Sequence, residues 1–174
     1  MSGTLVLGGC KSGKSSYAQA AAEKRGQRRL YVATGQPTDD EMKKKIVKHQ
    51  EERGFGWETS EVEIGLSDVI KKEYKDLDII LVDCITAWVT NLLMAEKTFD
   101  EILEKTDEFT EVVKNSKIPV IMVSNEVGYG IVPVNSLARK FRDIAGLVNQ
   151  KIAESSENVI LTVAGIPTTL KGTL

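Results

Sequence analysis

The residues Gly8-Gly9-Cys10-Lys11-Ser12-Gly13-Lys14-Ser15 follow the spacing G-x-x-x-x-G-K-[ST], which suits the binding of a nucleoside triphosphate. Glycines allow successive backbone N–H groups to turn toward one centre, and a helix that starts there adds the positive end of its dipole. Lys14 is long enough to reach the β- and γ-phosphates, as a catalytic cation. The Ser15 hydroxyl can complete the shell of a Mg²⁺ ion. All eight residues, Gly8 through Ser15, are therefore expected to bind nucleotide. Asp83 ends the apolar run Ile79-Ile80-Leu81-Val82, where a P-loop protein places a second acidic group near Mg²⁺, often through a water. Many strands end in Asp, so this assignment leans on the loop upstream. Ser15 and Asp83 are the expected magnesium residues.

His49 is the one histidine of the chain, which rules out an all-histidine metal site. On a helix it shares a stripe with Met42, Ile46 and Arg53, the pattern of a partly buried packing face. A second reading is chemical: imidazole nitrogen attacks phosphorus and forms a phosphoramidate, dividing one transfer into two easier steps. Lys45, Lys48 and Arg53 would favour the neutral ring and attract an anionic phosphate. Sequence position alone leaves both readings open.

The elements that must position these residues alternate between β-rich apolar runs and helical patterns, the signature of an α/β domain with a mostly parallel sheet. Strands are expected at 4–7, 30–34, 78–82, 119–124 and 159–164, with a short edge strand within 54–60. Helices are expected at 14–25, 39–53, 67–74, 87–95, 100–116 and 135–154. Thr38 and Glu41 form a capping box for the second of these. The last is expected to bury Leu137, Phe141, Ile144, Ala145 and Val148. Five apolar strands with intervening helices predict one doubly wound domain over residues 1–174.

The bulk composition narrows the partners. A chain of 174 residues with a formal net charge of −2 lacks the basic balance of a nucleic-acid binder. No stretch approaches the ~20 apolar residues that span a bilayer. Without a basic-then-apolar leader after Met1, a cytoplasmic location is expected. Cys10 and Cys84 are too few for a disulfide framework and are expected to be small buried residues in a reducing compartment.

Several motifs together resemble the bifunctional adenosylcobinamide kinase / adenosylcobinamide-phosphate guanylyltransferase family of cobalamin biosynthesis. They are the phosphate loop, Asp39-Asp40-Glu41-Met42 with His49, Val82-Asp83-Cys84-Ile85-Thr86, and Asn91-Leu92-Leu93. Ser124-Asn125-Glu126-Val127-Gly128 with Gly130-Ile131-Val132-Pro133 follows, then Ala138-Arg139, Phe141-Arg142-Asp143, Gly146, Asn149-Gln150 and Gly165-Ile166-Pro167. The resemblance covers essentially the whole chain, and the Asn125 to Pro133 run is its most specific part. It implies a RecA-like P-loop fold, α/β with helices on both faces of a mostly parallel sheet, and assembly as a homotrimer.

The resemblance also implies the chemistry. A phosphate passes from ATP or GTP to the aminopropanol hydroxyl of cobinamide. GMP then passes from GTP through a histidine, which aligns with His49, to that phosphate. Ala33, Thr34, Gly35, Arg53, Glu61 and Asp83 align with further GTP contacts. Two positions depart from the pattern: Lys11 stands where Arg is commoner, which loses the planar fork, and Lys48 stands where some relatives carry a second histidine. Glu126, at a strand end, is a candidate to position the acceptor hydroxyl.

Three other readings compete with this one. One is a P-loop small-molecule kinase without nucleotidyl transfer, with His49 only packing. Another is a regulatory GTPase, disfavoured because no Asn-Lys-x-Asp guanine-reading motif is present. The third is a nucleotide-gated RecA-like assembly module, which the acidic balance disfavours as a DNA partner.

Overall fold

The computed structural model describes residues 3–36 and 54–173. The expected helix 39–53, with its capping box, His49 and Arg53, lies outside the described residues.

The described residues form seven strands: β1 (Thr4–Gly8), β2 (Arg29–Ala33), β3 (Trp57–Glu61), β4 (Ile79–Asp83), β5 (Val120–Asn125), β6 (Asn158–Val163) and β7 (Ile166–Lys171). Five helices accompany them: α1 (Lys14–Glu23), α2 (Leu66–Lys71), α3 (Ile85–Met94), α4 (Phe99–Asn115) and α5 (Ser136–Ser155). The strands join one sheet in the order β3-β2-β4-β5-β1-β6-β7. All neighbours are parallel except β6 and β7, which are antiparallel.

The central strands β1, β4 and β5 are nearly continuous apolar runs because both of their faces are covered. One face carries Leu5, Leu7, Val32, Ile80, Val82 and Met122 against Trp88, Phe109, Ile144 and Val148 of α3, α4 and α5. The other carries Val6, Ile79, Leu81, Ile121, Val123 and Ile160 against Ala18 and Ala22 of α1. The small residues of α1 bring that helix close to the sheet, and with it the loop that precedes it. Helix starts are fixed locally. Thr98 and Glu101 form a reciprocal capping box on α4, Asn135 Oδ1 accepts from the Ala138 N–H on α5 (3.1 Å), and the Cys84 thiol caps α3.

Three expectations need correction. The sheet has seven strands among the described residues, one more than the five apolar strands and the short edge strand expected. β3 occupies the expected edge position. β7 escapes the periodicity because it is a short edge strand, Ile-Pro-Thr-Thr-Leu-Lys, where proline is tolerated and no apolar run is needed. In α5, Ile144, Ala145 and Val148 are buried as expected, but Phe141 is only partly buried and Leu137 is half exposed. The first turn of that helix contains no buried residue, so helical periodicity outlasts the surface available to cover it.

Candidate nucleotide site

β1 ends at Gly8 and α1 begins at Lys14, so the phosphate loop spans the gap between a strand and a helix. Its curvature depends on two left-handed residues, Lys11 (φ 56°) and Gly13 (φ 93°). At Gly13 a side chain would be excluded twice, by the backbone angle and by Gly165 Cα, which would lie 3.0 Å from an added Cβ. At Gly8 an added Cβ would collide with the hydroxyls of Ser12 and Thr162. α1 has no side-chain cap, and the Tyr17 N–H donates to the Gly13 carbonyl at 2.9 Å. The Ser12 N–H is taken up by the Gly9 carbonyl (3.3 Å), and the first-turn amides of Lys14, Ser15 and Ser16 are left to an anion. The Lys14 ammonium lies over the same loop, donating to the Gly9 carbonyl at 3.3 Å.

The loop is supported from behind by the β6–β7 hairpin. Ser12 Oγ lies 2.9 Å from Thr162 Oγ1, and the Thr162 hydroxyl donates to the Leu7 carbonyl at 3.1 Å. The hairpin turns on Ala164 (φ 51°) and Gly165 (φ 81°), both left-handed as a tight two-residue hairpin turn requires. That turn aims the Gly165 N–H at the Ser12 carbonyl, 2.8 Å away. Sequence reasoning missed Thr162 and this support. The Ala-Gly pair after an apolar strand was the available signal.

A second network organises the other strand ends. β5 separates the loop strand from the acidic strand, with Gly8 in register with Asn125 and Asp83 in register with Val123. The peptide between Asp83 and Cys84 is cis. Thr34 grips the residue beyond it: its hydroxyl accepts from the Cys84 N–H (2.8 Å) and donates to the Cys84 carbonyl (2.6 Å). Asn91 holds Thr34 in turn, donating to its carbonyl at 2.8 Å. Thr86 Oγ1 contacts Cys84 Sγ (3.1 Å) and accepts from Asn125 Nδ2 (2.9 Å). Burial, and then the charge of Asp83, push the Cys84 thiol up, so it remains a neutral capping group; the charge of Lys14 opposes them from the loop side.

The expected residues are thus distributed over one edge of the sheet. Ala33 pairs with both Asp83 and Glu61 across β4, β2 and β3. Thr34 is buried and Gly35 exposed beyond it, while Glu61 is exposed at the rim. His49 and Arg53 lie outside the described residues. Cys10 is exposed at the loop apex, not buried as expected, because the loop turns its middle outward; Cys84 is intermediate in exposure. Among the described residues no cluster of three or more His, Cys, Asp or Glu forms a protein-only metal cage. A hydroxyl at Ser15 and a carboxylate at Asp83 are hard oxygen donors, a set that suits Mg²⁺ shared with phosphate oxygens and water.

Glu126 begins the segment after β5. Its N–H donates to the Gly8 carbonyl (3.0 Å), and its carboxylate accepts from the Gly128 N–H (2.6 Å). Farther on, Arg139 donates to the carbonyls of Pro133 and Val134, and Arg142 to that of Gly130 (3.5 Å).

Residues 4–170 match the family described as cobinamide kinase / cobinamide phosphate guanyltransferase. The chain belongs to that family. It is 39% identical over 168 residues to the bifunctional adenosylcobalamin biosynthesis protein CobP of Pseudomonas aeruginosa, covering 97% of this chain and 96% of that protein. It is 41% identical over 179 residues to the corresponding CobU of Salmonella typhimurium, covering 96% and 98%. More distant likenesses carry the fold alone. The RadB recombinase superposes with a TM-score of 0.55 at 18% identity over 92% of this chain and 73% of its own. An ATPase from a type III secretion system gives 0.54 at 8% identity, over 92% of this chain and half of its own. Both fit the RecA-like arrangement, in which one strand intervenes between the loop strand and the acidic strand.

Proposed function

We propose that this member of the cobinamide kinase / cobinamide phosphate guanyltransferase family phosphorylates the aminopropanol hydroxyl of adenosylcobinamide with ATP or GTP, then transfers GMP from GTP to the new phosphate. The observation that carries the reading is the match over residues 4–170 to a family of that description, together with an intact phosphate loop at a strand–helix junction.

In the first step the amides of the loop and the Lys14 ammonium hold the β- and γ-phosphates in line with the acceptor hydroxyl. The hydroxyl oxygen bonds to the γ-phosphorus and releases its proton to water, the bond to the β-bridging oxygen breaks, and the nucleoside diphosphate leaves. Ser15 and Asp83 would hold Mg²⁺, which would supply charge neutralisation at the phosphate oxygens. In the second step the neutral His49 imidazole bonds to the α-phosphorus of GTP and pyrophosphate leaves. The phosphate of the corrinoid then displaces the imidazole and restores it. Ala33, Thr34, Gly35, Arg53 and Glu61 are assigned to the guanosine triphosphate, with Thr34 held through its hydroxyl by Cys84 and through its carbonyl by Asn91. We assign the chain to the cytoplasm as one domain, working as a homotrimer. No helix among the described residues is long and apolar enough to cross a membrane.

The test is incubation with Mg²⁺ and GTP labelled at the α-phosphate, followed by analysis of the precipitated protein. Acid-labile, alkali-stable label that disappears in His49→Ala supports the guanylyl-histidine. GTP binding without label would reduce the enzyme to a P-loop kinase.

A further inference from the structure

Isolated exposed apolar side chains are ordinary on a protein surface, but contiguous ones mark a binding face. Within residues 129–134, Tyr129 is 88% exposed, Ile131 97%, Val132 60% and Val134 97%. Four large apolar side chains among six residues thus face solvent, and they are presented by a fastened backbone. Arg139 and Arg142 of α5 donate to the carbonyls of Pro133, Val134 and Gly130. The guanidinium groups thereby satisfy the backbone of the segment and leave its side chains outward.

The location of the segment says what it meets. It begins at Glu126, whose N–H is bonded to the carbonyl of Gly8 in the phosphate loop. Ile131 is five residues further on, so chain length alone confines it to within about 18 Å of that point. The acceptor hydroxyl has to reach the γ-phosphate at this same edge of the sheet. A corrinoid places that hydroxyl on a short arm, and the rest of the molecule is a broad macrocycle with apolar faces and an amide-bearing rim. Once the arm is in place, the macrocycle has to lie on the surface beside the loop.

We propose that Tyr129, Ile131, Val132 and Val134 form the apolar seat for one face of the corrinoid macrocycle. The inference rests on the functional reading above and adds the part of the molecule that holds the non-reacting bulk of the acceptor. Remote binding of this kind orients the arm without entering the phosphoryl chemistry. The amide rim of the macrocycle remains in water or meets polar groups at the border of the segment.

The experiment compares the wild type with Ile131→Ser, with the double variant Ile131→Ser/Val134→Ser, and with Ile131→Leu. Cobinamide KM and kcat are measured alongside MgGTP affinity, equilibrium dialysis of cobinamide, and mass in solution by light scattering. Removing one or two buried aliphatic contacts should raise the cobinamide KM and dissociation constant about tenfold or more. MgGTP affinity should stay within about twofold and the mass should not change, while Ile131→Leu should keep the wild-type KM. An unchanged cobinamide KM in the double variant overturns the seat. A change of mass also overturns it, because the patch then covers a second copy of this chain. If the wild type neither binds nor phosphorylates cobinamide, the functional reading itself fails, a result separate from any difference between variants.

Discussion

Thr162 and Ser12, 150 positions apart in the sequence, meet as a buried hydroxyl pair at 2.9 Å directly behind the phosphate loop. The Thr162 hydroxyl donates a hydrogen bond to the Leu7 carbonyl, so the pair ties β6 to the end of strand β1 just before the loop. Thr162→Val keeps the shape and removes the partner of a buried hydroxyl, at a cost of about 1–3 kcal/mol. The expected outcome is a lower denaturation midpoint together with weaker MgGTP binding, by about fivefold. Thr162→Ser should restore both. Calorimetric binding and urea titration check this; affinity unchanged alongside reduced stability would make the pair purely structural.

Thr34 performs the equivalent task at the acidic strand. Thr34→Val removes the acceptor of the Cys84 N–H and the donor to the Cys84 carbonyl at once. A loss of about 2 kcal/mol in stability is expected, with a fall in kcat for the kinase step because the backbone beside Asp83 is released. Steady-state kinetics at saturating nucleotide reads this effect apart from affinity.

Gly13→Ala tests the curvature of the loop. A left-handed angle costs an alanine about 1–2 kcal/mol, and its Cβ meets Gly165 Cα at 3.0 Å. Loss of MgGTP binding is expected, with a folded circular dichroism spectrum. Lys14→Ala should instead leave the loop shaped but lower turnover by about 100-fold or more, the order seen when one preorganised charge-stabilising donor is removed.

The capping box of α4 predicts an acid-dependent contribution remote from the site. Hydrogen bonds from the Lys97 ammonium first, then from the backbone N–H and hydroxyl of Thr98, lower Glu101 from the ordinary 4.5 to about 2. A depressed folded-state pKa means the contribution is present in full above about pH 4.5 and is lost as the pH falls toward 2. Glu101→Gln should remove that contribution, lowering stability at pH 7, flattening its pH dependence within the window and converging on the wild type as the pH approaches 2. Urea titrations at pH 2.5, 4 and 7 would show it; the same slope in both proteins would refute the assignment.

Much of this protein could be read directly from its sequence because the relevant forces are local. The phosphate loop is a contiguous eight-residue pattern whose glycines and lysine carry their own geometric reasons. Strands β1, β4 and β5 stand out as apolar runs because burial on both faces demands them. Asp83 could be placed at a strand end because the run before it stops there.

Tertiary structure decided what no short window contains. β7 is polar and proline-bearing, and becomes a strand only by pairing with β6. Thr162 is an unremarked threonine until the β1–β6 pairing sets it behind Ser12. Cys10 and Leu137 have apolar character but face solvent, since exposure depends on what the rest of the chain leaves uncovered. Thr34, Cys84, Thr86 and Asn125 come from three separate segments and form a network only because β2, β4 and β5 end at the same edge. Hydrogen bonds between residues far apart in sequence leave no periodic trace, and the sheet order that creates them follows from packing the whole chain at once.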